Sequence, residues 1–526
     1  MPESRLNDNV VSRHLSRRFQ ISLVVEGALV GLFAGGLVTL YRLALRTAEA
    51  GLRSITASLA QGPFGMSIWF AVLAAILMVV SRLLLWEPYT QGSGIPQVDA
   101  EVMGRLDMPW HRVILAKFAE GTLCAFAGLS LGREGPSVQL GGMSGKALSK
   151  VLKKGRGEER LLVTCGAAAG MSAAFHAPLT GVLFAIEEIH KEFSAPLIVS
   201  VMTASVVADF LVSQVLGVAP VITLSFASDL PHIDYLFVVL IGVYCGVLGA
   251  LHNKGMFFCQ SLYEHIDRHL PYARLAVPFV LSGVMAFTFP QLLCGGDAIM
   301  ELIAQPGILA MGTIVFLLVG KYLFTTISFA SGAPGGTLFP LVVMGSLSGA
   351  LFGFPEAYVT NFLLLGVAGL FSSVVRAPVT AVILCFELSG SLDALLSAAI
   401  VSIVSYVTAN ILRVDPFYEH LLSRLLGVTP NDPTMNGEPG EKVLKTHHVG
   451  ANSKLDGALV KDIPWPSGAR IVTIERAGQE IVPTGDTRLI ALDVLLVIMD
   501  SDFEDDVELK LKQMCRPGIE SRWTPN

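Results

Sequence analysis

The stretch Gly166-Ala-Ala-Ala-Gly-Met-Ser-Ala-Ala-Phe-His-Ala-Pro-Leu-Thr-Gly-Val-Leu-Phe-Ala-Ile-Glu187 returns further along the chain as Gly366-Val-Ala-Gly-Leu-Phe-Ser-Ser-Val-Val-Arg-Ala-Pro-Val-Thr-Ala-Val-Ile-Leu-Cys-Phe-Glu387. The offset is a constant 200, with the first glycine, the Ala-Pro pair, the threonine and the glutamate in register. The same offset pairs Gly132 with Gly332, Gly135 with Gly335 and Gly145 with Gly345. One domain made of two related halves, about 20–225 and 230–428, is therefore expected. If each half crosses the bilayer an odd number of times, the copies are inverted and their broken-helix ends converge near the midplane.

Composition supplies the solvent. Of 526 residues, 52% are hydrophobic and 15% charged, and mean hydropathy is +0.61, which places the chain among integral membrane proteins. The net charge of -6 says little about partners, and nothing points to nucleic acid. Residues 21–45 and 66–86 read as membrane helices, each long enough for roughly 30 Å of hydrocarbon. Arg5, Arg13, Arg17 and Arg18 precede the first span, so residues 1–19 read as a cytoplasmic arm without a signal-peptide layout. From about 90 to 430 the apolar segments are broken by Gly and Pro, a pattern tolerated only where freed backbone is buried in protein or lines a cavity.

Gly132-Arg133-Glu134-Gly135-Pro136 interrupts one such segment with a carboxylate. An ionisable group at membrane depth costs several kcal/mol unless paired, solvated or protonated, so it marks a functional site. The glycines beside it let an ion approach backbone N–H groups. The basic segment Lys150, Lys153, Lys154, Arg156 and Arg160 reads as a solvated cytoplasmic loop. The seven cysteines are scattered, with no CxxC and no Cys/His cluster, so they read as packing residues.

After Leu426 the composition changes. The Pro, Gly and Asn of 429–442 make a linker. Beyond it, β-favouring runs at Arg470–Ile474 and Leu489–Ile498 imply a small, strand-rich soluble domain over 443–526, on the cytoplasmic side.

Gly92-Ser93-Gly94-Ile95-Pro96, Gly132-Arg133-Glu134-Gly135-Pro136, Gly335-Gly336-Thr337-Leu338-Phe339-Pro340 and Tyr418 together resemble, in order and spacing, the signatures of CLC chloride channels and chloride/proton exchangers. The likeness covers about 20–425. Val449 to Phe503 resembles the TrkA-C (RCK-C) module of potassium-uptake proteins, and no CBS pair is evident, which fits a prokaryotic member. The implied fold is an all-α polytopic membrane protein with inverted repeats and broken helices, followed by a small α+β cytoplasmic domain.

The resemblance also implies roles. Chloride would be held by Ser93, Gly94, Ile95, Arg133, Gly135, Leu338, Phe339 and Tyr418, through the Ser93 hydroxyl, the Tyr418 phenol and the backbone amides of Leu338 and Phe339. Glu134 would gate the path and carry the proton, with Glu188 as the inner proton-transfer residue. Lys117 and Arg133 would raise the potential along the pathway; the other reading of Lys117 is that it holds a buried partner. Glu187 and Glu387, paired across the repeat, read as structural. Leu338 stands where many members have Phe, which keeps the backbone donor but alters the constriction. The serine at 93 favours chloride over nitrate or fluoride.

These roles imply a secondary transporter exchanging chloride for protons in the inner membrane, homodimeric with one pathway per subunit, both termini cytoplasmic. The alternative is a passive chloride channel, and Glu188 is the feature that separates the two. The segments around 195–218 and 396–412 are the expected dimer contacts. No cofactor is implied; the tail either senses a small ligand or helps assembly. A cation channel lacks support in a carboxylate-lined filter, and no nucleophile–base set, P-loop or metal cluster suggests an enzyme.

Overall fold

A computed structural model describes residues 3–191, 193–217, 226, 230–265, 272–303, 310–352, 358–427, 442–450, 453–466, 469–476, 479–500 and 504–515. The chain divides into two compact units, Met1–Gly427 and Val428–Asn526. The linker expected over 429–442 lies, up to residue 441, outside the described residues.

The first unit is helical. Among the described residues, six helices are long and apolar enough to cross a bilayer, including Gly65–Trp86, Tyr235–Glu264 and Met311–Ala330. The first helix, Glu3–Leu59, is longer than the 21–45 span read from hydropathy. No proline interrupts it before Pro63, so it runs on past the apolar window. Other helices are short because Pro or Gly starts them anew: Ile95–Val102 follows Gly94, Pro178–Phe184 opens on Pro178, and Pro378–Ser389 opens on Pro378.

The two halves use the same parts. Glu134–Val151 and Arg156–Phe175 correspond to Leu338–Ala350 and Val359–Val375, and Ala195–Leu216 corresponds to Ala394–Ile411. Within each half the paired helices pack backbone to backbone. A Cβ on Gly166 would lie 2.1 Å from the Gly141 carbonyl oxygen, and one on Gly366 would lie 2.1 Å from that of Gly345. Larger side chains would force these helices apart.

Equivalent elements run in opposite directions, as inversion requires. Gly132 and Gly336 form an antiparallel bridge, each N–H donating to the other's carbonyl at 2.6 and 2.7 Å. Beside it, Gly92 N–H donates to Gly332 O (3.1 Å) and Gly335 N–H to Gly92 O (3.0 Å). The Pro178 and Pro378 helices cap one another. Glu387 accepts from the N–H of Leu179 and Thr180, both at 2.8 Å, and from the Thr180 hydroxyl at 2.6 Å. Glu187 accepts from the N–H of Val379 (3.2 Å) and Thr380 (2.8 Å) and from the Thr380 hydroxyl (2.7 Å). Each carboxylate thus satisfies orphan donors at the positive end of the opposing helix.

Lys150 ends the Glu134–Val151 helix and Lys153 and Lys154 form the turn after it. Lys154 reaches Glu26 at 2.6 Å, tying this turn to the first helix. The seven cysteines are free, and all but half-buried Cys259 are buried.

The second unit is an α+β domain. Strands β1 (Lys442–His448), β2 (Arg470–Arg476), β3 (Gln479–Ile481) and β4 (Val494–Asp500) form an antiparallel sheet in the order β1-β4-β2-β3. Leu495, Val497 and Met499 of β4 pack with Val507 and Leu511 of the Glu504–Cys515 helix. The β-favouring run at 489–498 becomes strand only from Val494. Leu492 adopts φ 74, and Asp493 accepts from the Ile490 N–H at 2.9 Å, which closes a turn.

Candidate functional site

The broken ends described above meet at one place. Gly94 caps the Ile95–Val102 helix with φ 94, a conformation open to glycine, and a Cβ there would lie 2.4 Å from the Gln139 amide oxygen. A Cβ on Gly135 would lie 2.3 Å from the Ser93 hydroxyl oxygen. The glycines therefore let the Ser93 loop press against the start of the Glu134–Val151 helix. Ser93 and Tyr418 are 2% and 1% exposed. The Tyr418 hydroxyl is aimed toward Ser93 and Thr337, yet neither the Ser93 nor the Tyr418 hydroxyl completes a hydrogen bond among the described residues. Two buried, unspent hydroxyl donors are costly unless a ligand accepts from them. The phenol is steered by Phe184, edge-on at 6.3 Å.

Glu134 is fully buried. Its Oε2 accepts the Phe339 N–H at 3.1 Å, at the N-terminus of the Leu338–Ala350 helix. That is where unpaired N–H groups and the helix dipole favour a negative charge. The carboxylate thus occupies a seat an anion could take. Its Oε1 has no hydrogen-bond partner among the described residues and lies 3.9 Å from Arg133 Nε. A Cβ on Gly132 would lie 2.5 Å from Oε2. Arg133 stacks over the Phe339 ring at 5.0 Å and reaches Asp297 at 3.8 Å. Above them is a cleft of about 20 Å³, with room for about one water.

On the other side of Ser93 a vestibule of about 310 Å³ is lined by Gln97, Arg274 and Arg424 among others. Ser93 therefore faces one mouth and Glu134 lies beneath the other.

Lys117, fully buried, donates to the carbonyls of Thr90 (2.8 Å) and Gly92 (2.6 Å). Of the two readings for this lysine, its bonds are those of a buried partner: it braces the loop that carries Ser93. Glu188 sits apart from Glu134, 5% exposed, and its Oε1 accepts no hydrogen bond among the described residues. It lies in the π-helical turn Ala185–His190, whereas the corresponding Pro378–Ser389 helix is α throughout. Glu187 faces the opposing helix from this turn, as Glu387 does from its α-helix, while Glu188 is buried. Asp99, Lys191 and Glu419 act electrostatically on it, and Lys191 meets Glu419 at 3.1 Å.

Three contributors were not read from the sequence. Asp297 pairs with Arg133 but has no acidic counterpart in the first half. Asp99 is buried in the Ile95–Val102 helix. Lys321 donates to Leu292 O (3.3 Å) and Cys294 O (2.6 Å), as Lys117 does to its own loop. Its signal was present but displaced: it lies 204 residues after Lys117, outside the constant 200 offset.

Inverted halves with broken helices pointing unpaired N–H groups at a shared centre define a membrane transport protein of the inverted-repeat class. Comparison with known proteins makes this specific. Residues 75–410 match the family model of the voltage gated chloride channel, and 447–511 match the TrkA-C domain. The chain belongs to the voltage gated chloride channel family. It is 31% identical over 443 residues to the H(+)/Cl(-) exchange transporter ClcA of Vibrio cholerae, covering 80% of this chain and 94% of that one. It is also 31% identical over 371 residues to ClcA of Salmonella agona, covering 68% and 78%. Among solved structures, a slow cyanobacterial Cl-/H+ antiporter aligns with a TM-score of 0.73 at 27% identity, covering 77% of this chain and 98% of the other. A CLC-type fluoride/proton antiporter shares the fold, with a TM-score of 0.62 at 21% identity over 74% and 96%.

Proposed function

We propose that this protein is a secondary transporter exchanging chloride for protons, with Glu134 as both gate and proton carrier. The observation that carries this reading is the Glu134 carboxylate on the Phe339 N–H, at a helix N-terminus fitted to an anion. Ionised, the side chain competes with chloride for that seat. Protonated, it loses the charge the helix end attracts, and chloride displaces it. The proton moves with the side chain while chloride rests on the Ser93 and Tyr418 hydroxyls and the Leu338 and Phe339 amides. Gly94, Ile95, Arg133 and Gly135 shape the remaining shell.

Glu188 supplies the inner proton step, and its burial, with Oε1 accepting no hydrogen bond among the described residues, supports a transfer role over a structural one. The exchangers and antiporter among the relatives support coupling over passive conduction. The protein resides in the inner membrane with cytoplasmic termini. It works as a homodimer, one pathway per subunit, through the outward apolar rows Val199, Met202, Val206 and Phe210 and Leu396, Ile403 and Val407. The TrkA-C domain binds a small regulatory ligand or helps assembly. Simultaneous chloride and proton fluxes in proteoliposomes test the reading: wild type moves both, and Glu134→Gln moves chloride alone. Proton movement surviving in Glu134→Gln would sink it.

A further inference from the structure

A groove of about 370 Å³ lies between the last turns of the Glu3–Leu59 helix and the end of the Ala276–Thr288 helix, with the Pro290–Leu292 turn beside it. Along the first helix its wall is Glu49, Leu52, Arg53, Thr56, Ala57 and Ala60, the spacing of a single helix face. Eleven residues separate the ends, which makes the groove about 16 Å long at 1.5 Å per residue. Leu52, Ala286, Phe287 and Leu293 make an apolar floor, while Glu49, Arg53 and Asp297 gather charge at one end.

Glu49 and Asp297 also line the narrow cleft over Arg133 and Phe339. The charged end of the groove is therefore the side wall of the mouth above Glu134. Two carboxylates at the mouth of an anion path oppose anion entry. Arg133, 3.8 Å from Asp297, answers part of that charge, and Glu49 has no ion pair within 4 Å among the described residues. An apolar trough ending in two carboxylates and a guanidinium matches an amphiphile whose head carries an ammonium next to a phosphate.

We propose that this groove binds a phosphatidylethanolamine-type lipid from the bilayer. The ammonium sits between Glu49 and Asp297, where its N–H groups donate to both carboxylates. Arg53 takes the phosphate, and an acyl chain lies over Leu52, Ala286, Phe287 and Leu293. Bound this way the head draws Asp297 off Arg133 and leaves the guanidinium charge to incoming anions. That second, regulatory half rests on the exchange reading above; the lipid site does not.

The test uses the full-length protein, purified and loaded with phosphatidylethanolamine or phosphatidylglycerol, with retained lipid read by native mass spectrometry. Wild type is expected to keep phosphatidylethanolamine and release phosphatidylglycerol. Ala57→Trp, on an exposed groove position, and the conservative Glu49→Gln are each expected to lose the retained lipid, with unfolding temperature as the folding check. Equal retention of both lipids, or Ala57→Trp holding phosphatidylethanolamine as wild type does, would overturn the site. Chloride efflux tests the regulatory half: wild type should run faster in vesicles containing phosphatidylethanolamine than in phosphatidylglycerol alone, and Ala57→Trp equally in both. Equal wild-type rates would overturn that half. A chain that retains the lipid yet moves no protons would overturn the exchange reading and leave the lipid site standing.

Discussion

The Ser93 and Tyr418 hydroxyls are buried and complete no hydrogen bond among the described residues. Each hydrogen bond to a charged group is worth about 1.5–3 kcal/mol net, so Ser93→Ala should weaken chloride binding roughly 10- to 150-fold, measurable by calorimetry on the purified protein. Tyr418→Phe should act similarly and leave the fold intact, since Phe184 packs against the ring rather than the hydroxyl. Glu188 gives a different expectation. Its Oε1 makes no hydrogen bond among the described residues, so Glu188→Gln should slow proton movement in a liposome assay without lowering the unfolding temperature. Much of this site was legible: a carboxylate between glycines in an apolar run has few bland explanations, and the motif order added Ser93 and Tyr418. Asp297 and Asp99 were not legible, because a single acid near a helix end carries no spacing that says what it will face.

Among the elements, the mutual capping of the Pro178 and Pro378 helices does most to fix how the halves meet. Each cap is a charge-assisted set on one half-buried carboxylate. Glu387→Ala should therefore lower stability by about 1–3 kcal/mol, seen as an earlier thermal transition in detergent, and Glu187→Ala should match it. If Glu187→Ala instead removed proton coupling and spared stability, its structural role would be refuted. The repeat announced this pair, since Glu187 and Glu387 fall in register. Sequence did not announce the π-turn at Ala185–His190, because the two halves keep the same spacing from the Ala-Pro pair to Glu187 and Glu387. Hydropathy also ended the first helix early: it senses the bilayer, whereas the helix persists until a residue breaks it.

At the scale of the whole molecule, the C-terminal unit carries a response to acid of its own. In the TrkA-C domain, burial works to raise the Asp493 carboxyl. Two bonds of 2.8 Å from Arg476 and one from the Ile490 N–H outweigh it, so its pKa lies below the ordinary value. A carboxylate depressed on folding stabilises fully above its unfolded pKa, about 3.9, and that stabilisation is lost as pH falls through the lower folded value. Asp493→Asn should loosen the β2–β4 pairing at neutral pH and flatten the domain's acid unfolding below about pH 4, as hydrogen exchange on the full chain would show. The membrane unit has another constraint. Its halves are held together by the Gly132–Gly336 bridge, the Gly92 contacts with Gly332 and Gly335, and two carboxylate caps. If its moving part is the one proposed side chain, Glu134, a machine clasped in this way does no work against the elastic thickness of the lipid around it. Its turnover should be nearly the same in bilayers of 14-carbon and 22-carbon chains, unlike transporters whose halves rock and must deform the membrane with each cycle.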